Sequence, residues 1–291
     1  MTVPYRSFKH YLRETLGCEA RRVPLALATT CPNRDAAGNG CVYCDAVGSG
    51  APGLPAHLPV AEQLAQGIAR LKPDVRALAY FQPFTTTHGD PATVIAALRA
   101  AVAHPRVAGL FVATRPDALP DAVLQELAAL ARERLVWLEL GLQSASDATL
   151  TRIRRGHTVA DFDRAVARAR AANIPVAAHV IAGLPGEGAD EAVATARHCA
   201  ALGVAGIKIH SLYVLRDTLL AQWWRAGEYQ PLTLAGYAAT VRAMLDVLPP
   251  DMVVMRLTGD GPPDRVLAPD WCCDKNRVYA ALRAAGVVPA A

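Results

Sequence analysis

The sequence lacks long hydrophobic runs. No apolar stretch approaches the ~20 residues that a helix needs to cross a bilayer. Residues 1–17, MTVPYRSFKHYLRETLG, also lack the apolar core of a signal peptide. We find no internal repeat and no low-complexity linker. These absences exclude a membrane-spanning or exported class and predict a globular cytoplasmic protein with no membrane partner.

Strong net charge is also absent, since 30 basic and 26 acidic residues leave the chain at +4. The protein is therefore not a polycation that binds nucleic acid over its whole surface. The first 30 residues are nevertheless locally basic and interleave aromatic residues: Arg6, Lys9, Arg13, Arg21 and Arg22 with Tyr5, Phe8 and Tyr11. Such a segment is typical of an RNA-contacting arm or of an amphipathic lead-in helix, and we favour the helix.

Cysteine is sparse and unevenly placed. The seven cysteines form a cluster (Cys31, Cys41, Cys44), an adjacent pair (Cys272, Cys273) and two single residues (Cys18, Cys199). Structural disulfides are not expected in a cytoplasmic protein, because the cytosol keeps thiols reduced. Single free cysteines are often small core residues. Only the cluster therefore needs a metal or redox explanation.

Short β-branched apolar runs alternate with amphipathic segments rich in Ala, Leu and Arg. The candidate strands are Val23–Thr30, Val75–Gln82, Val107–Thr114, Leu135–Gln143, Ile174–Ala182 and Val204–Leu212. The helices expected between them include Val60–Leu71, Thr93–Ala103, Asp121–Arg132, Val159–Ala172 and Asp190–Leu202. Six such units predict a parallel sheet with right-handed crossovers, as an open doubly wound sheet or a partial barrel.

Polar residues gather where these strands end. They include Thr29, Thr30 and Cys31, then Gln82, then Thr114, Arg115 and Asp117, then Glu139 and Gln143, then His179, and finally Lys208 and His210. The carboxyl ends of parallel strands meet at one edge of the sheet, where ligands bind in α/β proteins. The sequence therefore predicts an active site at this edge.

The alternation changes after the sixth unit. Helical segments at Asp217–Ala226 and Leu234–Leu248 precede a further candidate strand at Met252–Leu257, a polar loop at 258–262 and a last helix at Lys275–Ala285. No clear second domain follows. We expect a basic N-terminal segment at 1–22, a core barrel at 23–215 and an α-rich C-terminal extension at 216–291 that packs on the barrel.

The clustered cysteines follow the first predicted strand with the spacing C-x9-C-x2-C. The C-x2-C pair lets two thiolates reach one metal centre, and the nine-residue excursion can fold back to bring in the third. Three interpretations compete. A zinc site needs a fourth ligand, for which His57 is available. A thioredoxin-type redox pair leaves Cys31 unexplained, and a three-thiolate 4Fe–4S cluster leaves one iron open.

Eight ordered sequence blocks extend this pattern over nearly the whole chain. They are the cysteine loop CPNRD…CVYC…GSG, FQPFTTTHG (81–89), TRPDALPD (114–121), WLELGLQS (137–144), RRGHTVADF (154–162), AHVIAGLPGE (178–187), GIKIHSLYVL (206–215) and RLTGDGP (256–262). Together they resemble the radical S-adenosylmethionine (SAM) superfamily. The likeness is greatest to its bacterial YhcC/YtqA-type family, which is related to the Elongator catalytic subunit and to oxygen-independent coproporphyrinogen oxidase.

This resemblance implies an α/β fold, a partial (βα)6 TIM-type barrel with SAM at its top. It implies that Cys31, Cys41 and Cys44 hold a 4Fe–4S cluster whose open iron binds SAM. An electron donor such as flavodoxin or ferredoxin would reduce the cluster. SAM would then be cleaved to a 5′-deoxyadenosyl radical, which abstracts hydrogen from the substrate.

The resemblance also implies a set of SAM contacts. Gln82 stands where many relatives carry a Gly-Gly-Glu segment that meets the SAM amino group. Glu139 and Gln143 resemble positions that meet the ribose. Arg155 matches an arginine on the SAM carboxylate, a group that guanidinium binds bidentately. His179 occupies a fifth-strand position that faces SAM, although a strand histidine is also commonly a structural residue.

Lys208, His210, Arg256 and Asp260 are candidate catalytic residues that would face the substrate from the sixth strand and the last loop. They could equally form a salt-bridge network that closes the barrel, and we slightly favour that interpretation. Relatives usually carry Trp, two variable residues and Asn-Lys where this chain has the segment WCCDK (271–275). We therefore interpret Cys272 and Cys273 as incidental substitutions.

Three functions follow from this pattern. The first is a radical SAM enzyme acting on the wobble uridine of tRNA, with tRNA as a partner. The second keeps the radical chemistry with a small metabolite or porphyrin as substrate. The third is a non-catalytic zinc or iron–sulfur protein that interacts with RNA.

Overall fold

The computed structural model describes residues 5–35, 38–46, 55–259 and 261–288. The strands are β1 (Arg6–Ser7), β2 (Ala20–Leu25), β3 (Arg76–Phe81), β4 (Val107–Thr114), β5 (Leu135–Gln143), β6 (Val176–Ala182), β7 (Gly206–Ser211), β8 (Val214–Leu215), β9 (Val253–Arg256) and β10 (Val266–Ala268). The helices are α1 (Phe8–Leu16), α2 (Val60–Ala69), α3 (Pro91–Val102), α4 (Asp121–Leu130), α5 (Asp147–Arg152), α6 (Val159–Ala171), α7 (Ala189–Ala201), α8 (Leu219–Arg225), α9 (Leu234–Leu245) and α10 (Lys275–Ala284).

Eight strands form one parallel sheet in the order β1-β9-β7-β6-β5-β4-β3-β2. The sheet curls into a half-barrel with helices on its outer face, which confirms the predicted partial TIM-type barrel. β8 and β10 form a separate antiparallel pair. Among the described residues, no helix is both long and apolar enough to cross a membrane.

The first strand lies earlier in the chain than predicted, since Ala20–Leu25 replaces Val23–Thr30. The reason is a side chain that the sequence pattern does not reveal. Gln63 on α2 accepts from the Ala26 backbone N–H and donates to the Ala26 carbonyl, both at 2.9 Å. These bonds take the place of further pairing with β3, so the chain leaves the sheet after Leu25 and enters the cysteine loop.

The predicted strand at Met252–Leu257 is present as β9, and it pairs with β7 in parallel. It thus belongs to the main sheet, with β1 on its other side. The sequence pattern had not indicated β1, the short helix α5 or the β8–β10 pair. Each is six residues long or less, too short for hydrophobic periodicity to be recognised.

Helix α1 closes the amino-terminal end of the half-barrel. Phe8 packs edge-on against Phe111 with ring centroids 5.5 Å apart, and Tyr11 packs edge-on against Trp137 at 5.4 Å. The Trp137 Nε1–H donates to the Tyr11 hydroxyl at 3.2 Å. The structure therefore agrees with the lead-in helix, because these aromatic rings pack inside the barrel and do not form a base-stacking arm.

Candidate active site

A cavity of about 470 Å³ lies at the carboxyl edge of the sheet. Every predicted site residue that the structure describes lines it: Cys31, Cys41, Cys44, Gln82, Glu139, Gln143, Arg155, His179, Lys208, His210 and Arg256. The predicted Asp260 lies outside the described residues. Residues separated by up to 225 positions (31 to 256) thus meet at one edge, because each parallel strand delivers its end there.

The cysteine turn is held by backbone hydrogen bonds from two directions. The Cys44 N–H donates to the Cys41 carbonyl at 2.9 Å, which closes the turn. The Val42 N–H donates to the Ile153 carbonyl at 3.0 Å, and the Val42 carbonyl accepts from Leu220 N–H at 2.8 Å. The turn is therefore fixed against the segment before α6 and against α8, with Cys41 buried and Cys44 half-buried.

The surroundings of Cys41 favour the thiolate form of its side chain. A hydrogen bond with the Cys44 thiol, followed by the Arg155 and Arg115 guanidiniums, lowers the pKa of Cys41 well below its ordinary value, against the opposing effect of burial. The thiolate is the form that binds metal. Asn33 Nδ2 also donates to the Cys41 sulfur at 3.4 Å.

The Arg155 guanidinium lies fully inside the protein and is held on three sides. Its Nη1 donates to Cys41 Sγ at 3.7 Å, its Nη2 to the Gly141 carbonyl at 2.9 Å, and its Nε to His157 Nε2 at 2.9 Å. Position 141 has to be glycine for this arrangement, since a Cβ there would lie 2.5 Å from Arg155 Nη2. Arg115 Nη1 supports the segment by donating to the Arg155 carbonyl at 2.7 Å.

The His157 ring lies beneath Arg155, between two backbone carbonyls. Its Nε2 lies 2.9 Å from Arg155 Nε and 2.9 Å from the Gly141 carbonyl oxygen, and its Nδ1 lies 3.1 Å from the Thr158 carbonyl oxygen. Burial, followed by the charges of Arg155 and Arg115, lowers the pKa of His157 to about 4. The ring is therefore neutral at pH 7 and acts as an acceptor for the arginine.

The residues present fit a 4Fe–4S cluster. Cys31, Cys41 and Cys44 are free thiols in the lining of the cavity. Tyr43 and Thr85 also line it, and their buried hydroxyls have no hydrogen-bond partner in the described part of the chain. Within that part, no three His, Cys, Asp or Glu side chains converge as ligands of a single metal ion would. A 4Fe–4S cluster binds each thiolate at a separate iron, so three thiols in the lining of one cavity suit it.

Below the cysteines, Glu139 is the centre of a buried charge network. Its side chain is 0% exposed and accepts from Arg22 Nη2 at 3.0 Å, from Lys208 Nζ, and lies 2.9 Å from His179 Nε2. The cations Lys208 and Arg22, and then the bond from His179, lower the Glu139 pKa well below its ordinary value although burial opposes this. Lys208 Nζ also donates to the Tyr80 hydroxyl at 3.0 Å.

Two histidines face one another above this network. The rings of His179 and His210 stack with centroids 5.7 Å apart. Burial lowers the pKa of His179 to about 4, with Lys208 as the next cause. Burial and then His179, Arg256 and Lys208 lower the pKa of His210 well below its ordinary value. Both rings are therefore neutral at pH 7.

Gln143 reaches the cavity through an irregular backbone. It has a positive φ of 75°, and the pairing of β5 with β6 shifts register between Gly141 and Gln143. A left-handed residue other than glycine is uncommon and costs free energy, and such residues cluster at functional sites.

Gln82 follows β3 directly, and its N–H donates to the Leu25 carbonyl at 3.3 Å.

Three site residues were missed or assigned elsewhere from the sequence. Arg22, assigned to the basic N-terminal segment, points into the barrel, where its guanidinium lies over the rings of Phe8, Tyr80 and Phe111 at 4.6, 4.8 and 5.2 Å. Tyr80 had no signal beyond its place in an apolar strand. Arg115 was noted only as a polar strand end.

The remaining cysteines lie apart from the cavity. Cys272 is buried in the outer hydrophobic core beside Trp271, and Cys273 is exposed. Neither lines the cavity. This placement agrees with their interpretation as incidental substitutions.

Comparison with known protein families identifies the class. The family model of the radical SAM superfamily matches residues 27–199, and the model of the Radical_SAM C-terminal domain matches residues 204–285. The first match covers more than half of the chain, so the protein belongs to the radical SAM superfamily. Members of this superfamily are enzymes that use a 4Fe–4S cluster and SAM, which confirms the class and the cofactors expected from the sequence.

Individual relatives place the chain within the superfamily. It is 37% identical to Protein YhcC of Escherichia coli (strain K12) over 264 residues. This alignment covers 90% of this chain and 85% of that protein. It is 31% identical over 163 residues to a tRNA uridine(34) acetyltransferase of Dehalococcoides mccartyi (strain CBDB1), spanning 54% of this chain and 34% of that protein. These matches confirm the resemblance to the YhcC-type family.

A solved structure, the archaeal Methanocaldococcus infernus Elp3 with an N-terminal deletion, has the same fold. Its TM-score is 0.71 at 18% identity, over 93% of this chain and 64% of that chain. At this level of identity the likeness shows the fold alone. It agrees with the half-barrel described above.

Proposed function

We propose that the protein is a radical SAM enzyme that modifies the wobble uridine of tRNA. The observation that carries this proposal is its 31% identity over 163 residues to a tRNA uridine(34) acetyltransferase. The matched part is 34% of that relative, so the proposal takes over the uridine substrate and not the acetyl transfer.

In this proposal Cys31, Cys41 and Cys44 hold the cluster, and SAM binds against Gln82, Gln143, Arg155 and His179. When bound, the cluster and SAM supply the radical that takes hydrogen from the substrate, which is chemistry of the cofactor and not of the protein. Arg155 keeps N–H groups beyond its three internal contacts, and these suit the SAM carboxylate.

Glu139 supports the SAM site from beneath. It fixes the His179 ring through the 2.9 Å contact to Nε2, and it compensates the charges of Lys208 and Arg22. We propose that its remaining acceptor capacity meets the SAM ribose. A largely buried, hydrogen-bonded network of this kind is rigid, which keeps the walls of the SAM site in place.

The substrate side of the cavity lies toward β7 and β9. We propose that Lys208, His210 and Arg256 face the substrate there, together with Asp260. Lys208 and Arg256 are register partners on the two strands, so their side chains share one face of the sheet. The buried Lys208 amine is held in one position by Glu139 and Tyr80. Burial lowers its pKa well below the ordinary value, and the Glu139 carboxylate opposes this shift.

Two pairs of arginine and aromatic side chains, one of them in the cavity lining, favour a nucleic-acid substrate. The Arg34 guanidinium lies 5.3 Å from the Phe84 ring centroid, and both residues line the cavity. Arg152, exposed at the end of α5, lies 6.0 Å from the Trp223 ring on α8. Unstacked RNA bases bind to aromatic rings and guanidinium planes of this kind.

All seven cysteines are free, which is typical of a reducing compartment. We therefore propose that the enzyme works in the cytoplasm and receives its electrons from a flavodoxin or ferredoxin. Mixing the purified enzyme with either reduced carrier should produce 5′-deoxyadenosine from SAM. If neither carrier supports this while dithionite does, the donor is of another kind.

The experiment that tests the substrate compares tRNA nucleosides by mass spectrometry. The strains are wild type, a deletion, and the deletion complemented with the intact gene or with Cys41→Ala. We expect one modified uridine to disappear in the deletion, to return with the intact gene and to stay absent with Cys41→Ala. Identical nucleoside profiles in all four strains would contradict the tRNA proposal and favour a small metabolite or porphyrin as substrate.

A further inference from the structure

The segment 153–157 docks onto the cysteine turn at several points. The Ile153 carbonyl accepts from Val42 N–H at 3.0 Å, and the Arg154 carbonyl accepts from Asn33 Nδ2 at 2.7 Å. Gly156 lies so close to Asn33 that an added Cβ would be 2.0 Å from Asn33 Oδ1. This close fit brings the Arg155 side chain beside the Cys41 sulfur.

The three clustered sulfurs differ in their hydrogen-bond donors. Cys41 Sγ receives two N–H groups, from Asn33 Nδ2 at 3.4 Å and from Arg155 Nη1 at 3.7 Å. Within the residues that the structure describes, no N–H group donates to the sulfurs of Cys31 or Cys44. The donors are thus concentrated on one sulfur, and one of them carries a full positive charge.

Arg155 is prevented from turning elsewhere. Its other two contacts, to the Gly141 carbonyl and to the neutral His157 ring, involve no carboxylate, so its charge is not compensated by a bound acid. Arg115, which donates to the Arg155 carbonyl, is itself paired with Asp117 at 2.7 Å. The positive charge of Arg155 therefore acts on the cysteine turn from within a buried environment, where electrostatic interactions are strong.

We infer that Arg155 and Asn33 form a sulfur-binding pair that raises the reduction potential of the cluster through Cys41. This inference rests on the proposed role of Cys41 as a cluster ligand. Hydrogen bonds to the sulfurs and the net charge near a cluster are established determinants of its potential. Reduction adds negative charge to the cluster, and a guanidinium beside one sulfur stabilises the reduced form more than the oxidised form.

The role of Arg155 toward Cys41 is one of positioning and tuning, and it is separate from any contact with SAM. Such tuning lowers the reducing power that the electron donor must supply. Arg155 belongs to the docked segment, and Asn33 is held by the Arg154 carbonyl of the same segment. The geometry of residues 153–157 therefore determines both the reduction potential of the cluster and the fit of the cysteine turn.

The test is a redox titration of the reconstituted protein, monitored by electron paramagnetic resonance, with no SAM present. We expect Arg155→Met to lower the midpoint potential most and Asn33→Ala to lower it less. Arg155→Lys should keep the potential near that of wild type, because it retains a charge and a donor. Arg154→Gln is the matched control, since Arg154 is exposed and contributes only its backbone carbonyl, and it should leave the potential unchanged.

Iron and sulfide content are measured for each variant, so that potentials are compared at equal cluster loading. Equal potentials for Arg155→Met, Asn33→Ala and Arg154→Gln at equal loading would overturn the inference. A shift that occurs only after SAM is added would also overturn it, because Arg155 would then act through SAM. Failure of the wild-type protein to take up a cluster would instead contradict the proposed cluster site.

Discussion

The interior of the half-barrel has an apolar region and a charged region, which lie next to each other along the strands. The lower region is an aromatic plug, in which Phe111 and Trp137 stack with centroids 6.4 Å apart and helix α1 covers them. The upper region holds Glu139, Lys208 and Arg155 around the cavity. The lower region buries apolar surface by packing. The upper region buries charged groups, which cost free energy unless they are paired with one another.

Strand β5 passes through both regions within five residues. Trp137, Glu139 and Gly141 alternate with the outward-facing Leu138 and Leu140 and so point to the same side. The strand therefore supplies an aromatic anchor, then a buried carboxylate, then a space for the Arg155 guanidinium. The comparison teaches that apolar packing closes the amino end of the barrel, whereas the charged groups and the predicted site residues lie at its carboxyl end. Four predictions test this division.

The largest effect is expected at the cysteines of the upper region. Replacing Cys31, Cys41 or Cys44 with Ala should abolish cluster binding, because a three-thiolate site has no spare ligand. Iron and sulfide analysis after anaerobic reconstitution measures this. Cys273→Ala and Cys272→Ala are the controls and should bind a full cluster; iron loss in either as complete as in Cys41→Ala would contradict the assignment of the cysteines.

The next largest effect is expected for Glu139→Gln. It leaves Lys208 and Arg22 in the barrel without their carboxylate, and removal of one partner from a buried ion pair costs roughly 3–5 kcal/mol. Denaturant unfolding measures the change. The matched control Glu126→Gln breaks a surface pair with Arg99 and should cause a much smaller loss; equal losses would show that the buried network does not hold the upper region together.

A smaller effect is expected on the pH dependence of stability. The pKa of His157 is about 4 in the folded protein and about 6.5 when unfolded. The unfolded chain therefore binds more protons between these values, so stability is complete above about pH 6.5 and falls as the pH decreases toward 4.

His157→Gln should remove about 3 kcal/mol of this fall, seen as a shallower dependence of unfolding free energy on pH. The matched variant His57→Gln, at an exposed histidine, should keep the slope of wild type. An unchanged slope in His157→Gln would mean that the ring is not held neutral by burial and Arg155.

The smallest effect is expected in the lower region. Tyr11→Phe removes the acceptor of the Trp137 Nε1–H and should cost about 1 kcal/mol of stability. Cluster content and the midpoint potential should stay the same, because neither Tyr11 nor Trp137 lines the cavity. Unfolding experiments and iron analysis measure both properties, and a loss of iron in Tyr11→Phe would contradict the separation of the two regions.

The sequence predicts the upper region better than the lower one. Polar residues at strand ends stand out against apolar runs, and Cys31, Cys41 and Cys44 have a spacing that indicates a metal centre. All the predicted site residues within the described part of the chain do line one cavity. Which of these residues pair with one another could not be predicted from the sequence, because partners such as Glu139 and Lys208 lie 69 positions apart.

The lower region depends on tertiary contacts that leave no local signal. Arg22 and Phe8 belong to a basic segment whose composition is also compatible with a surface arm, and only the alternation of β2 turns Arg22 inward. The early end of β2 likewise depends on Gln63, which bonds to Ala26 across 37 positions. The hydrophobic periodicity of a helix or strand predicts which of its faces is apolar. It does not predict which distant side chain will contact that face.

The central claim is that this cavity carries out radical SAM chemistry, and SAM cleavage tests it most directly. The reconstituted protein is reduced with dithionite under anaerobic conditions, SAM is added, and the products are separated by chromatography. The account predicts 5′-deoxyadenosine and methionine from the wild-type protein and neither from Cys41→Ala. Absence of 5′-deoxyadenosine from wild-type protein with a fully loaded, reduced cluster would contradict it.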